Sequence, residues 1–189
     1  MVRQVRARLT RSALITAAAG EFARLGYAGA TLARISTAAG VTSGALTFHF
    51  LSKEELARAV AGAGAEAARA ALGEVERIAA PGLAAAERLT QVLPVLLEQD
   101  VHARATVRLM DECPDECAPW EEAWRPALGH ALDRARAGGA DDAVVADVQL
   151  LICYLLAGAR ARMRSGLPVA AVRDELGSLW RRLAPGLRA

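Results

Sequence analysis

The sequence predicts an all-α protein, and three observations lead to this fold class. Apolar residues make up 53% of the 189 residues and aromatic residues only 4%, so the hydrophobic content comes from Ala, Leu and Val, which pack helices closely. Apolar positions recur at helical spacing through most of the chain. Glycines and prolines separate those segments, and no long run alternates as a β-strand does. We expect a small domain of residues 1–53 and a larger one of residues 54–189.

The first helix is expected from about Arg8 to Leu25, with Gly26 ending it in a left-handed conformation. Apolar residues recur within it at steps of three and four, which places them on one face: Leu14, Ala18, Phe22 and Leu25. An arm from Met1 to Arg11, with four arginines, precedes the first core residue of this helix.

Two short helices follow, joined by a tight turn. Thr31 can cap the second helix and Thr42 the third, because a threonine hydroxyl accepts a hydrogen bond from a backbone N–H at a helix start. Gly40 permits a close turn, and Val41 fills the gap between the helices. This spacing is that of a helix-turn-helix, whose second helix enters the major groove of DNA, although other short helix pairs can imitate it.

Each short helix has an inner and an outer face. The inner residues are expected to be Leu32, Ile35 and Ala39 in the second helix and Ala45, Leu46 and Phe48 in the third. Phe50 is interpreted, like Phe48, as a core side chain beneath the third helix. The outer residues are small or hydrogen-bonding, which lets the backbone approach phosphates and base edges: Thr42, Ser43, Gly44, Thr47 and His49. For His49, a phosphate contact and internal packing are equally compatible with the sequence.

A long fourth helix is expected to begin at Ser52, which forms a capping box with Glu55, and to run to about Ala79, before the break at Pro81-Gly82. Further helices are expected at Leu83 to Gln99, His102 to Glu112, Trp120 to Arg136, Asp142 to Ser165 and Val169 to Ala184. The last two are expected to form a four-helix interface between two copies of the chain. An apolar line in the first of them leaves open which face meets the partner: Val144, Val148, Leu151 and Leu155.

Charge is distributed unevenly between the two predicted domains. Residues 1–53 carry seven basic residues and one acidic residue, a net charge of +6. The remainder carries 16 basic and 20 acidic residues, a net charge of −4. This asymmetry is typical of a nucleic-acid-binding segment on an acidic body, because duplex phosphates respond to local charge. A basic face that is merely solvated would give the same count.

The chain has three cysteines, Cys113, Cys117 and Cys153, with no secretory signal ahead of them, which indicates a reducing, cytoplasmic setting. The apolar stretch Leu150 to Ala161 is too short for a membrane span of about 18 residues or more, so no membrane association is expected. No second Cys or His pair accompanies Cys113 and Cys117 at metal spacing, so neither a metal nor another cofactor is expected. The acidic residues around these two cysteines, from Asp111 to Glu122, are interpreted as a solvated face.

Enzymatic chemistry is not indicated. The sequence shows no phosphate-binding glycine loop, no nucleophile elbow and no metal-binding pair of histidines. His102 and His130 are isolated in the sequence. We therefore assign no catalytic residue.

Residues 8–60 resemble the head of the TetR family of transcriptional regulators. The similarity is carried by ITAAAGEFARLGYAGATLARIS in the first two helices, AGVTSGAL at the turn and FHFLSKEEL at the start of the fourth helix. It implies a TetR-like fold, with an N-terminal helix-turn-helix DNA-binding domain and a C-terminal helical domain for ligand binding and dimerisation. The implied function is that of a repressor whose homodimer binds a palindromic operator and leaves it when a ligand binds.

The resemblance also implies a set of DNA contacts. Lys53 and the amides at the start of the fourth helix would hold phosphate, and the arginines of the arm would reach a minor groove or the backbone. A disordered, solubilising tail is the alternative for the arm. Family members commonly carry Tyr at the position of Thr47, and a threonine reaches less far. The expected contacts are Arg3, Arg6, Arg8, Thr31, Thr42, Ser43, Gly44, Thr47, His49 and Lys53.

Three segments are similar to γ-butyrolactone autoregulator receptors and pseudo-receptors of antibiotic-producing actinobacteria: MVRQVRARLTRSALITAAAGEF, GALTFHF and CPDECAPWEEAW. In that subfamily a tryptophan that precedes the dimerisation helices lies in the ligand pocket, and Trp124 is the best match. An indole can lie flat against an apolar ligand and also donate its N–H. Trp120 is expected in the core or at the pocket rim, and Trp180 in the core or the dimer interface. The expected ligand contacts are Trp124, Trp120, Met110, Leu109, Val107 and Leu151.

The expected effector is a small hydrophobic molecule, either a γ-butyrolactone-like signal or an antibiotic. Its binding would shift the fourth helix and change the separation of the two recognition helices from about 34 Å, one turn of DNA. One alternative keeps the DNA-binding head but assigns a drug or fatty acyl effector and an efflux or metabolic gene. An alternative of a different class is a helical dimerisation module, or an enzyme, without DNA binding.

Overall fold

The computed structural model describes residues 2–77 and 82–186, and the predicted all-α class is confirmed. The described residues contain helices and a single-turn 3-10 segment, Asp115–Cys117, and no strand. The helices are α1 Val2–Gly29, α2 Leu32–Ala38, α3 Ser43–His49, α4 Lys53–Arg77, α5 Gly82–Gln99, α6 Val101–Leu109, α7 Ala118–Ala137, α8 Asp142–Arg164 and α9 Val169–Leu183. Beyond α1, most of their ends lie within two residues of the predicted ones; the predicted break at Pro81 and the predicted end near Ala79 lie outside the described residues.

The predicted start of α1 is wrong. The helix begins at Val2 rather than near Arg8, so most of the basic arm forms its first turns. The reason is that the arm contains good helix formers and no glycine or proline, and the Thr10 hydroxyl donates to the Arg6 carbonyl one turn back, at 3.0 Å. Gly26 interrupts the helix at φ 73° and ψ −178°, as predicted, but three helical residues follow, up to Gly29.

Packing divides the chain into two compact units. The first unit comprises residues 1–67 and 100–122, and the second comprises residues 68–99 and 123–189. The predicted boundary at residue 53 differs from this division, because the start of α4 and all of α6 pack with the N-terminal helices. The functional division into DNA-binding and ligand-binding domains therefore stays a prediction.

The core of the first unit lies where α1 packs against α6 and α2. Its largest fully buried side chains come from α1 to α4 and α6: Leu14, Phe22, Ile35, Leu46, Phe50, Leu56 and Leu109. The predicted inner positions Leu32 and Ala39 are half-buried against this cluster. Burial of these side chains fixes α2 and α3 on the unit, with the opposite faces exposed.

The core of the second unit is formed by α5, α8 and α9 with parts of α4 and α7. Trp180 is buried in it, and its indole Nε1 donates to the Thr90 hydroxyl at 2.8 Å. The core position predicted for Trp180 is thus confirmed. On α8, Val148 faces this core, together with Val145 and Ile152.

Helix α8 has a second, exposed apolar face. Leu150 is 53% exposed and Tyr154 is 67% exposed, one turn apart. Among the described helices, α8 alone is long and apolar enough to cross a membrane by length and composition, and 22% of that window is buried. The complete helix meets this criterion although the stretch Leu150 to Ala161 is shorter. The nearby helix α9 also exposes apolar residues, Leu179 and Leu183.

Candidate nucleic-acid interface

The turn between α2 and α3 has the hydrogen-bond pattern of a Schellman motif. Gly40 has φ 67°, its N–H donates to the Thr37 carbonyl at 3.1 Å, and the Val41 N–H donates to the Ser36 carbonyl at 3.0 Å. A side chain at position 40 would be strained in this left-handed conformation. Val41 is half-buried against the core of the first unit. The predicted roles of Gly40 and Val41 in a helix-turn-helix are therefore confirmed.

Both predicted threonine caps are present. The Thr31 hydroxyl oxygen accepts from the Arg34 N–H at 3.3 Å, and that of Thr42 accepts from the Ala45 N–H at 3.2 Å. Each hydroxyl keeps its own proton for another acceptor. A contact from Thr31 or Thr42 to DNA stays a prediction.

The outer face of α3 carries the small residues that the sequence predicts. Ser43, Gly44 and Thr47 are exposed, while Leu46 is buried and holds the opposite face on the core. The Thr47 hydroxyl donates to the Gly44 carbonyl at 3.1 Å. Its proton is thus occupied within α3, so Thr47 would meet DNA as an acceptor unless the hydroxyl rotates.

The predicted core position of Phe48 is wrong. Its side chain is 79% exposed, whereas Phe50 is fully buried, as predicted. Successive helical residues are about 100° apart, so Phe48 points roughly opposite to the buried Leu46. Phe50 lies after the end of α3, with φ −142° and ψ 117°, and this extended backbone turns its ring inward. His49 is half-buried, and its ring meets the Phe48 ring edge-on with 5.2 Å between centroids.

Lys53, at the start of α4, is bound within the first unit. Its Nζ donates to the carbonyl oxygens of Tyr27 at 2.9 Å and Ala30 at 3.2 Å, and it lies 4.2 Å from the centroid of the Tyr27 ring. These bonds satisfy carbonyl groups at the end of α1. A phosphate contact stays a prediction, and only one ammonium proton is left for it.

The start of α4 carries two acidic residues as well. The Ser52 hydroxyl accepts from the Glu55 N–H at 3.2 Å, which confirms the capping box, and the Glu55 carboxylate accepts from the Leu51 N–H at 2.8 Å. The Tyr27 hydroxyl donates to Glu54 at 2.5 Å, and this bond, with hydrogen bonds from the Glu54 backbone and Ser52, lowers the pKa of Glu54 to about 2. Both carboxylates would repel a phosphate at this helix start.

Two arginines of the basic N-terminal segment are paired. Arg34 and Arg24 bind the Glu21 carboxylate at 2.7 and 2.9 Å, and their hydrogen bonds hold the pKa of Glu21 below its usual range. The guanidinium of Arg11 lies 4.8 Å from the centroid of the Phe50 ring. Arg6 and Arg8 are exposed on the first turns of α1, and the side chain of Arg3 lies outside what is described. Exposed positive charge therefore remains where the arm was predicted.

The segment after α6 is more than the solvated acidic face that the sequence suggested. The Glu112 carboxylate accepts from the Ala28 N–H at 3.0 Å, beside the break in α1, and Glu116 lies 3.7 Å from Arg58 of α4. Burial raises the pKa of Cys113 to about 11 and that of Cys117 to about 12, so both thiols are protonated at neutral pH. No local sequence pattern predicts the Glu112 contact, because its partner is a backbone atom distant in the chain.

The residues predicted to bind a ligand are divided between the two units. Trp124 and Leu151 belong to the second unit and are both half-buried, and Trp124 packs against the core of that unit. The other four belong to the first unit, where Trp120 and Leu109 are buried and Met110 and Val107 half-buried. Packing accounts for Trp120 and Leu109, and ligand contact stays a prediction for all six. No group of three or more His, Cys, Asp or Glu side chains that could hold a metal occurs among residues 2–77 and 82–186.

Comparisons with known proteins agree with this geometry. Residues 14–60 match the model of the family described as bacterial regulatory proteins, tetR family. A segment of 60 residues is 45% identical to the A-factor receptor protein of Streptomyces griseus; it covers 32% of this chain but only 22% of that protein.

Two solved structures are similar over most of the chain. A γ-butyrolactone receptor, described as an ArpA-like protein, has a TM-score of 0.76 at 30% identity, with 96% of this chain and 89% of that chain covered. CprB, a TetR family protein from S. coelicolor A3(2), has a TM-score of 0.69 at 30% identity, with 94% and 89% covered. The similarity therefore includes both units of the chain and extends well beyond the helix-turn-helix.

Proposed function

The chain belongs to the TetR family of bacterial regulatory proteins, and from this membership we propose that it is a ligand-released transcriptional repressor. Members of this family are transcription factors, so the chain is a regulator and not an enzyme. In the proposed mechanism a homodimer binds a palindromic operator through α3. A small hydrophobic effector of the γ-butyrolactone class then favours a form of the dimer that cannot bind DNA.

The observation that carries this proposal is the presentation of α3. The Schellman turn at Gly40, the cap at Thr42 and the buried Leu46 fix the helix on the first unit with its outer face exposed. That face carries small polar residues, which permit close approach to a groove. The net charge of +6 in residues 1–53 adds the attraction that phosphates require.

The proposed homodimer is supported by the exposed apolar residues of the last two helices. Leu150 and Tyr154 on α8 and Leu179 and Leu183 on α9 are at least 38% exposed. Burial against a second copy would remove this surface from water, as in a four-helix interface. A dimer contact through α8 would also explain why this helix is apolar, since we propose that the protein is cytoplasmic.

The proposed effector class is supported by the similarity to γ-butyrolactone receptors and by Trp124. A half-buried indole can stack on an apolar ligand while its N–H binds a polar atom. We propose control of antibiotic genes on the same similarity. A drug or acyl effector acting on an efflux or metabolic gene is the competing assignment for the same protein.

The test begins with DNA selected from a random 30-bp duplex library by the full-length protein. We expect a palindromic sequence, bound by a dimer and released by an added γ-butyrolactone. Failure to enrich any DNA would contradict the repressor assignment. Release by an antibiotic or an acyl compound but not by butyrolactones would keep the DNA function and replace the effector class.

A salt titration of the selected duplex checks the electrostatic part. The logarithm of affinity should fall with the logarithm of salt concentration at a slope of about −0.9 per phosphate contact. Binding that does not change between low and moderate salt would be inconsistent with a basic DNA-binding head. Thr42→Ala should change operator preference, since a groove contact is specific to sequence, whereas loss of the α3 cap alone would weaken binding to all sequences alike.

A further inference from the structure

Phe48 is an aromatic residue whose side chain is exposed and does not contribute to the core. The other two phenylalanines of the chain, Phe22 and Phe50, are fully buried, whereas Phe48 is 79% exposed. Its one described ring contact is the edge of the adjacent His49. The ring therefore does not stabilise the core, and its place on α3 needs another explanation.

The neighbours of Phe48 define the surface to which its ring belongs. Gly44 lies four residues earlier, one turn away on the same face of α3. A methyl group at Gly44 would meet only the Thr42 hydroxyl, at 4.0 Å, so the space beside this glycine is open. Ser43 and Thr47 border the same surface. An apolar ring thus stands beside an open stretch of backbone on a face of otherwise small residues.

The major groove offers one apolar group for such a ring. Bases present hydrogen-bond donors and acceptors there, together with the C5-methyl group of thymine. A phenyl ring cannot pair with the donors or acceptors, so the methyl group is its complementary partner. We propose that Phe48 contacts the C5-methyl of one thymine in each operator half-site and specifies that base pair; this inference rests on the proposed function.

This contact can be separated from a contact to the backbone of the DNA. A ring that packs on deoxyribose would act on every sequence alike, because the sugar is the same at every position. Replacing thymine by deoxyuridine removes the methyl group and keeps the base pair. If the Phe48 ring contacts the methyl group, this replacement lowers the affinity of the wild-type protein but not that of a variant without the ring.

The experiment uses the duplex that the wild-type protein selects from a random library. Each thymine pair related by the palindrome is replaced in turn by deoxyuridine, and the dissociation constant is measured by fluorescence anisotropy. The burial of one methyl-sized group corresponds to about fourfold in affinity, so replacement in both half-sites should weaken binding about fifteenfold at one pair of positions. Other thymine pairs should show little change.

Three variants assign the effect to the side chain. Phe48→Ala should bind the thymine and deoxyuridine duplexes equally, and Phe48→Leu, which keeps an apolar side chain, should retain part of the preference. Leu51→Ala is the matched control, because Leu51 is 89% exposed but lies after the end of α3; it should keep the full preference. Thermal melts should be the same for Phe48→Ala and wild type, since the ring is exposed.

Each outcome is decisive. A methyl preference that persists in Phe48→Ala, or that falls equally in Leu51→Ala, overturns the proposal, as does the absence of any preference in the wild type. These results would leave the repressor function standing, because DNA would still be selected and bound. Only a wild-type protein that selects no DNA would reject the proposed function together with the contact, and Phe48 would then be a candidate for a protein interface.

Discussion

The two units of the chain use polar side chains differently. In the first unit, side-chain pairs such as Arg34 with Glu21 occur together with polar side chains that bind backbone atoms of another element, as Lys53 does at the end of α1 and Glu112 at Ala28. In the second unit, Arg162 pairs with Glu175 at the surface, and Trp180 binds the Thr90 hydroxyl in the core.

This difference relates to what each unit has to do in the proposed function. Bonds to backbone atoms have fixed directions, so they hold the α1–α2 connection, and with it the helix-turn-helix, in one orientation. In the second unit, Trp180 and the apolar side chains around it form the core, so the stability of this unit depends mainly on packing.

Loss of Trp180 should be the most damaging change in the second unit. Trp180→Ala leaves a cavity in the core and deprives Thr90 of its partner, so we expect the free energy of unfolding to fall by about 3–5 kcal/mol. Trp180→Phe keeps most of the volume and should lose about 1–3 kcal/mol, the cost of an unpaired buried group. Urea titrations measure both values. The control is Leu179→Ala, since Leu179 is 42% exposed and should cost little; similar losses in all three variants would contradict the placement of Trp180.

Trp124→Ala should impair effector binding in the second unit and leave DNA binding by the first unit unchanged. If the indole lines the effector site, the variant should bind operator DNA normally yet lose about a hundredfold in effector affinity, which is about 2.7 kcal/mol. Operator binding with and without effector gives the result, and a thermal melt checks the fold. A variant that melts earlier but still responds to effector would identify Trp124 as a core residue only.

Lys53→Met should weaken the first unit. The carbonyl groups of Tyr27 and Ala30 lose their donor, so we expect a loss of about 1–3 kcal/mol in unfolding free energy, measured by urea titration. The slope of DNA affinity against salt gives a second readout. It should stay near the wild-type value if Lys53 serves the fold, and become smaller by about one phosphate contact if Lys53 binds DNA directly.

Much of the first unit could be predicted from the sequence because its signals are local. Thr31, Gly40 and Thr42 act on backbone atoms within five residues, so their spacing alone identifies the caps and the turn. For Phe48, apolar character predicts burial and this prediction is wrong, because the position of Phe48 relative to Leu46 on the helix places it on the outer face.

The remaining features depend on residues far apart in the chain. Glu112 and Ala28 are 84 residues apart, and Trp180 and Thr90 are 90 residues apart, so no motif connects them. The six expected ligand residues share apolar character but no regular spacing, so the sequence does not show which of them lie together. Packing divides them between the two units. Their common role in a site depends on the proposed function and on the test with Trp124.

The smallest effect concerns acid, and it compares one side-chain pair from each unit. The pKa of Glu54 is lowered from 4.5 to about 2, chiefly by the Tyr27 hydroxyl, so Glu54 stabilises the fold above pH 4.5 and loses this contribution as pH falls toward 2. The Arg162 hydrogen bond likewise lowers the pKa of Glu175 in the second unit. Both carboxylates are exposed, so the effects are small. Salt should separate them, because it screens an exposed ion pair but leaves a hydrogen bond from a neutral hydroxyl nearly unchanged.

Unfolding free energies measured between pH 5 and pH 3 test this difference. Tyr27→Phe removes the donor, so stability should fall less steeply with pH than in the wild type, at low and at high salt alike. Glu175→Gln should also reduce the steepness, but only at low salt, where its ion pair is effective. On the alkaline side the sign reverses: burial and the bond to Glu54 raise the pKa of Tyr27, so the fold loses stability as pH rises above 10. Parallel acid curves for Tyr27→Phe and wild type would show that this side-chain pair does not contribute to the stability of the first unit.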